Sequence, residues 1–246
     1  MLFRSDGDWI TYGRDYAETH HSPLKQIDQS NVSRLAAAWS TEVGSDGKIE
    51  TTPLVFDGVL YGTSTWSTVY AVDLRSGKLK WKWDPGLVRA GFEADGPRAC
   101  CGPVNRGVAL YKGRVYVGLL DGRLVALNAQ TGLPEWATQT TPPGTDYTIT
   151  GAPRIVKGRV VIGQGGAEYG VRGFLAAYDA DTGKLAWKFY VIPCDPSKPF
   201  EDEALARAAK TWNGQWWKYG GGGTPWDGIA YDPELNLVYV GTGNGS

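Results

Sequence analysis

A short pattern that returns three times constrains this chain more than anything else in it. Ala71-Val72-Asp73-Leu74-Arg75-Ser76-Gly77 runs on to Trp81, Ala126-Leu127-Asn128-Ala129-Gln130-Thr131-Gly132 to Trp136, and Ala177-Tyr178-Asp179-Ala180-Asp181-Thr182-Gly183 to Trp187. The shared form is Ala-x-Asp/Asn-x-x-Ser/Thr-Gly-x-x-x-Trp, with Trp-to-Trp spacings of 55 and 51 residues. An Asp or Asn ahead of Ser/Thr-Gly makes a tight turn, because Gly accepts positive φ and the Asx side chain bonds nearby backbone N–H groups. A strand precedes each turn and another follows it, carrying the Trp where a large ring can cover a neighbouring sheet. Upstream of each turn stands a second hairpin, centred on Asp57-Gly58, Lys112-Gly113 and Lys157-Gly158, at the spacing of a two-residue loop.

Each unit therefore holds four short strands in roughly 50 residues, the size of a propeller blade. A fourth unit starts at Gly228 and runs two strands, to Val240. Leu35–Trp39 reads as a lone outer strand ahead of the first full blade, of the kind that completes the last blade of a closed propeller. The expected fold is all-β: a partial β-propeller of about four blades with tryptophan-docking repeats, one domain over residues 1–246. The alternative is a β-sandwich with chance similarity between the turns. One helix is expected, over Glu201–Lys210, with acids early and a base late as the helix dipole prefers. It lies in a long insertion between blades, from Pro193 to about Gly223.

Lys and Arg number 25 against 26 Asp and Glu, a balance that gives no support for a nucleic-acid partner or an acidic membrane surface. No apolar run approaches the roughly 20 residues needed to span a membrane. The start, Met1–Asp6, has no apolar core of a signal peptide. The three cysteines form neither a disulfide framework nor a zinc spacing, and His20 and His21 sit in a polar N-terminal stretch that reads as surface.

Cys100 and Cys101 are adjacent. Neighbouring Cα atoms lie about 3.8 Å apart, closer than the roughly 4.4–6.8 Å a disulfide normally spans, so a bond between them would close a strained ring. The dipeptide alone allows that ring or two unlinked thiols. The run Arg98-Ala99-Cys100-Cys101-Gly102-Pro103-Val104-Asn105-Arg106-Gly107, however, resembles the vicinal-disulfide segment of the pyrroloquinoline quinone (PQQ) dependent methanol and ethanol dehydrogenases. Three more motifs, in the family's order, strengthen the resemblance: Gly163-Gln164-Gly165-Gly166-Ala167-Glu168, Gly223-Thr224-Pro225-Trp226-Asp227 and Gly241-Thr242-Gly243-Asn244. It extends from about Trp9 to Ser246, and Thr211–Trp217 looks closer to the ethanol-oxidising quinohaemoprotein branch.

The resemblance implies a role for each of these residues. Cys100 and Cys101 would lie as a disulfide against one face of PQQ and Trp226 would stack on the other. Arg106 would bind a cofactor carboxylate as a fixed guanidinium fork. Glu50, Thr150 and Thr224 would contact the cofactor, while Gly166 and Ala167 let the backbone approach the flat ring. Glu168 and Asn244 would ligate Ca²⁺ or a lanthanide, with much of the oxygen set supplied by PQQ itself. The implied activity is oxidation of primary alcohols to aldehydes, with electrons passed to a cytochrome c, in the periplasm; a haem c domain fits the quinohaemoprotein branch. The family propeller has eight blades, and its aspartate base is expected beyond Ser246. No residue here is assigned as catalytic, and the 246 residues alone are expected neither to hold PQQ tightly nor to turn over alcohol. A non-catalytic propeller scaffold has no need for the cysteine pair, Glu168 or Trp226. A membrane-anchored PQQ sugar dehydrogenase would leave the paired cysteines unexplained.

Overall fold

In the first hairpin of each repeat both turn residues take positive φ: Asp57 and Gly58 at 52° and 75°, Lys112 and Gly113 at 48° and 75°, Lys157 and Gly158 at 46° and 74°. These are type I′ turns, whose twist matches that of the strands they join. The computed structural model describes residues 6–89 and 99–246. Met1–Ser5, and the run 90–98 with Arg98 of the cysteine motif, lie outside the described residues.

Three antiparallel sheets follow one another, each ordered as its strands occur in sequence. The first blade is β1 (Leu54–Phe56), β2 (Val59–Thr63), β3 (Val69–Asp73) and β4 (Leu79–Trp83). The second is β5 (Ala109–Tyr111), β6 (Arg114–Gly118), β7 (Arg123–Asn128) and β8 (Pro134–Gln139). The third is β9 (Arg154–Val156), β10 (Arg159–Ile162), β11 (Phe174–Asp179) and β12 (Leu185–Tyr190), and β13 (Ile229–Asp232) with β14 (Leu237–Val240) begins a fourth. The third and fourth strands of each full blade slip register at the same place, between Ala71 and Val72, Ala126 and Leu127, and Ala177 and Tyr178. The core lies between blades: one apolar layer joins blades one and two around Val115 and Leu127, another joins two and three around Tyr116 and Ile162.

The repeated Trp explains the stacking. Trp81 Nε1 donates to Ala129 O at 3.0 Å and Trp136 Nε1 to Ala180 O at 3.2 Å, each reaching the turn of the next blade. Tyr61 and Tyr116 donate to the same two carbonyls, at 3.3 and 3.1 Å. Each turn is held by its Asx residue: Asp73, Asn128 and Asp179 accept from the backbone N–H of Ser76, Thr131 and Thr182. Gly132 is required twice over. Its φ is +73°, and a Cβ there would come within 2.6 Å of the Trp81 ring.

Leu35–Trp39 forms no strand; the segment is extended and exposed, with no strand among the described residues beside it to satisfy a ladder. Its Trp39 nevertheless docks as the repeats do, donating to Leu74 O at 3.0 Å and covering Gly77. Among the described residues Trp187 docks on no turn and is 41% exposed, and its neighbours Leu185 and Phe189 on the same face are 54% and 45% exposed. The expected helix is shorter than its sequence signal: α1 spans Glu203–Ala209, with Asp202 capping it by accepting from Leu205 N–H at 2.9 Å. Glu201 is drawn out of the helix by a two-pronged ion pair with Arg172, at 2.6 and 3.0 Å. No helix among the described residues is long and apolar enough to cross a membrane.

Two tryptophans at the same repeat position therefore differ sharply. Trp81→Ala should cost about 3–5 kcal/mol, the range for a packed aromatic. Trp187→Ala, on an open face, should cost under about 1 kcal/mol. Urea unfolding of the two variants beside the parent measures both.

Candidate cofactor site

Four of the residues singled out by sequence occupy one structural position in four successive blades. Glu50, Arg106, Thr150 and Trp226 each lie three or four residues ahead of a blade's first strand: β1, β5, β9 and β13. These first strands approach one another from blade to blade, β5 beside β9 and β9 beside β13. The segments leading into them are joined directly. Thr52 N–H donates to Arg106 O at 3.0 Å, and Arg106 N–H donates to Thr150 O at 2.9 Å.

Side chains converge on Arg106. Its Nη2 lies 2.8 Å from Glu50 Oε2, its Nη1 donates to Thr150 Oγ1 at 2.8 Å, and its guanidinium carbon lies 4.7 Å from the centre of the Trp226 ring. Trp226 itself is 43% exposed although Thr224 and Pro225 before it are buried. Thr224 sits beneath Gly243, whose N–H donates to the Thr224 carbonyl at 2.8 Å. An exposed indole on a buried support is a platform for a flat partner.

Glu168 and Asn244 come from the same end of the molecule, because each follows the second strand of its antiparallel blade. Glu168 lies in the short 3₁₀ turn Ala167–Tyr169, bracketed by Gly166 and Gly170 at φ of 110° and 82°. The Asn244 strip is fastened to that turn, since Ser246 Oγ donates to Ala167 O at 2.8 Å and Gly223 N–H donates to Asn244 O at 2.8 Å. Both the Glu168 and the Asn244 residues are exposed.

The cysteine segment is anchored on blade one. Ala99 is buried with Trp66 and Leu120, and Trp66 N–H donates to Pro103 O at 2.8 Å. Trp66 and Ser67 pay a conformational cost there, with φ of 62° and 56°. The structure holds Cys100 and Cys101 as two exposed free thiols, their Sγ atoms 2.7 Å apart; the bond expected from the resemblance is not formed in it. Burial pushes the Cys100 thiol up to about 12, helped by the hydrogen bond and charge of Cys101 and the charge of Glu168, and opposed by Arg106. Cys100, Glu168 and Arg106 thus lie close enough for the two charges to act on the thiol.

The family model for the PQQ glucose/ethanol/alcohol dehydrogenase β-propeller domain matches residues 9–246. The chain belongs to the PQQ-dependent dehydrogenase propeller family. It is 58% identical over 244 residues to the quinohemoprotein alcohol dehydrogenase ADH IIB of Pseudomonas putida, covering 99% of this chain and 35% of that protein. The crystal structure of the quinohemoprotein alcohol dehydrogenase of Comamonas testosteroni superposes with a TM-score of 0.93 at 54% identity, over 97% of this chain and 36% of that one. A europium-containing methanol dehydrogenase superposes with a TM-score of 0.86 at 37% identity, over 98% of this chain and 43% of that one. The chain spans about a third of the length of the quinohemoprotein relatives it matches.

The residues present fit PQQ. An open indole face, a fixed guanidinium and a pair of soft sulfurs suit a flat tricarboxylate. Two buried groups also lack partners: Asp227 Oδ1 and both polar atoms of the Gln164 amide. Among the described residues no cluster of three or more His, Cys, Asp or Glu could hold a metal ion. The side-chain oxygens that Glu168 and Asn244 offer fall well short of the roughly six to eight that Ca²⁺ takes.

Three residues of the site carried no sequence signal of their own. Asn105 is 1% exposed and staples the Arg106 segment, donating from Nδ2 to Gly118 O at 2.8 Å and accepting from Gly107 N–H at 3.1 Å. Gln164 and Asp227 stand inside the motifs above; Gln164 is buried, and Asp227 is half-buried with its Oδ1 out of solvent.

The Cys100 shift has a direct readout. At pH 8 a thiol titrating at about 12 is thiolate to a fraction on the order of 10⁻⁴. In the reduced protein, iodoacetamide should therefore modify Cys100 at least about tenfold more slowly than a simple peptide thiol. Glu168→Gln, which removes a charge opposing the thiolate, should speed the reaction; peptide mass mapping over time measures both rates.

Proposed function

We propose that this chain forms the cofactor-facing part of a PQQ-dependent alcohol dehydrogenase that oxidises primary alcohols to aldehydes. The observation that carries the reading is the Arg106 node, where one guanidinium gathers Glu50, Thr150 and the Trp226 ring from four blades. The names of the relatives, quinohemoprotein alcohol dehydrogenases, support the same substrate class.

Arg106 would hold a carboxylate of PQQ, with Glu50 and Thr150 fixing its fork so that little side-chain entropy remains to be lost on binding. Trp226 and the cysteine pair would take the two faces of the ring, the pair closed as a disulfide in the working protein. Glu168 and Asn244 would ligate Ca²⁺ or a lanthanide. Gly166, Ala167 and Thr224 would line the ring edge. Bound there, PQQ supplies the electron-accepting chemistry, and the metal ion adds Lewis acidity. The chain's own part is to orient the cofactor and shield its faces. The proton-accepting aspartate is assigned outside residues 1–246, and the electrons go on to a cytochrome c, through a haem c in the quinohaemoprotein arrangement. The location is periplasmic.

The product of the complete gene, made without cofactor and then given PQQ and Ca²⁺, should oxidise ethanol in a dye-linked assay and show no activity when PQQ is omitted. Trp226→Ala should weaken PQQ by about tenfold or more, the size expected for losing a stacked aromatic partner with its buried area. Activity independent of PQQ, or unchanged affinity in that variant, would overturn the assignment.

A further inference from the structure

Two arginines stand at the ends of the segment Thr150–Arg154. At one end Arg106 donates to Thr150 Oγ1. At the other, Arg154 is 7% exposed and spends its donors on backbone carbonyls, Nε on Ile229 O at 3.0 Å and Nη1 on Ala152 O at 2.9 Å. Its guanidinium lies 4.5 Å from the centre of the Tyr12 ring, and Nε lies 4.0 Å from Glu18.

Asp227 faces the middle of that segment and has no room to move. A Cβ on Gly151 would overlap Trp226 O and come 3.2 Å from Asp227 Cα, and one on Gly163 would overlap Pro225 O. The backbone of residues 225–227 is therefore clamped against blade three. The Asp227 Oδ1 is buried and has no hydrogen-bond partner. Burial pushes the Asp227 carboxyl up, the charges of Arg154 and Arg106 pull it back down, and Glu50 pushes it up again. Charges thus alternate from the floor to the site: Glu18, Arg154, Asp227, Arg106, Glu50.

We propose that Asp227 is a positioning residue for the cofactor pocket: its carboxylate, set between Arg154 and Arg106, keeps the Arg106 guanidinium seated on Thr150 and Glu50, in line with a carboxylate of PQQ. The part concerning PQQ rests on the function proposed above; the seating of Arg106 does not. The charge is expensive to keep where it is, since burial favours the neutral form. An isosteric amide would serve packing alone equally well. Without the negative charge, the carboxylate left within ion-pair distance of Arg106 among the described residues is Glu50, which is part-exposed.

The test compares the parent with Asp227→Asn and Asp227→Glu, all as apo-protein from the complete gene. Phenylglyoxal labelling of Arg106, followed by mass spectrometry with exposed Arg159 as internal reference, reads the guanidinium without any cofactor. Labelling should run several-fold faster in Asp227→Asn and return toward the parent rate in Asp227→Glu. Melting of Asp227→Asn at pH 7 should be no lower than the parent, because the substitution removes a buried charge. Titration with PQQ and Ca²⁺ should show about tenfold weaker binding in Asp227→Asn alone. An unchanged Arg106 labelling rate overturns the proposal. So does melting well below the parent, which would make Asp227 a packing residue. If the labelling contrast holds while the parent takes up no PQQ, the seating of Arg106 stands and the cofactor reading falls.

Discussion

Everything in this molecule hangs on an indole lying over a glycine of the next blade. The ring needs a partner surface without a Cβ, and Gly132, at positive φ against Trp81, supplies it. The Nε1–H needs an acceptor, and the carbonyl of Ala129 is held in place by the turn that Asn128 caps. Neither half works without the other. A Cβ would lift the ring off the turn, and a looser turn would turn its carbonyl away from the indole. Because the same pair recurs from Trp39 to Gly77 and from Trp136 to Gly183, every blade inherits its angle from its predecessor.

The candidate cofactor site is a product of that regularity. Residues just ahead of each first strand arrive at one end of the molecule, so Glu50, Arg106, Thr150 and Trp226 meet although 176 positions separate the first from the last. Glu168 and Asn244 reach the same end by the loops that follow second strands. The outer strands set the spacing and the inner segments carry the chemistry. Substitution can then alter the site without loosening the stack, as long as the close approaches at Gly151 and Gly163 are kept.

Much of this was readable in advance because periodic features carry redundancy. Three copies of the Asx-to-Trp turn specified blade size, hairpin type and the direction in which the Trp points. The site motifs were readable only through resemblance. Nothing in a single arginine or threonine says that Arg106 and Thr150 touch, and it takes the fold to bring them within 2.8 Å. Leu35–Trp39 has a strand's sequence without a strand's hydrogen bonds, because a strand is defined by its neighbours and none lies beside it among the described residues. Asp227 and Gln164 carry no sequence signal for a related reason: the burial of their polar atoms inside Gly-rich loops leaves no local trace.

The N-terminal stretch has a consequence of its own. Blade-to-blade tryptophan contacts close loops of 35, 48 and 44 residues, all of similar length. Tyr16, by contrast, donates to Ile155 O across 139 residues, and it packs edge-on against Tyr231 still further along. Chain-closure entropy grows only with the logarithm of loop length, so this long closure costs about 1 kcal/mol more than a blade contact. It also ties the inner strand of blade three to that of the blade begun at β13, a pair that no docked tryptophan joins among the described residues. The stretch behaves like a drawstring: cheap to tie once the blades have stacked, and impossible to tie before.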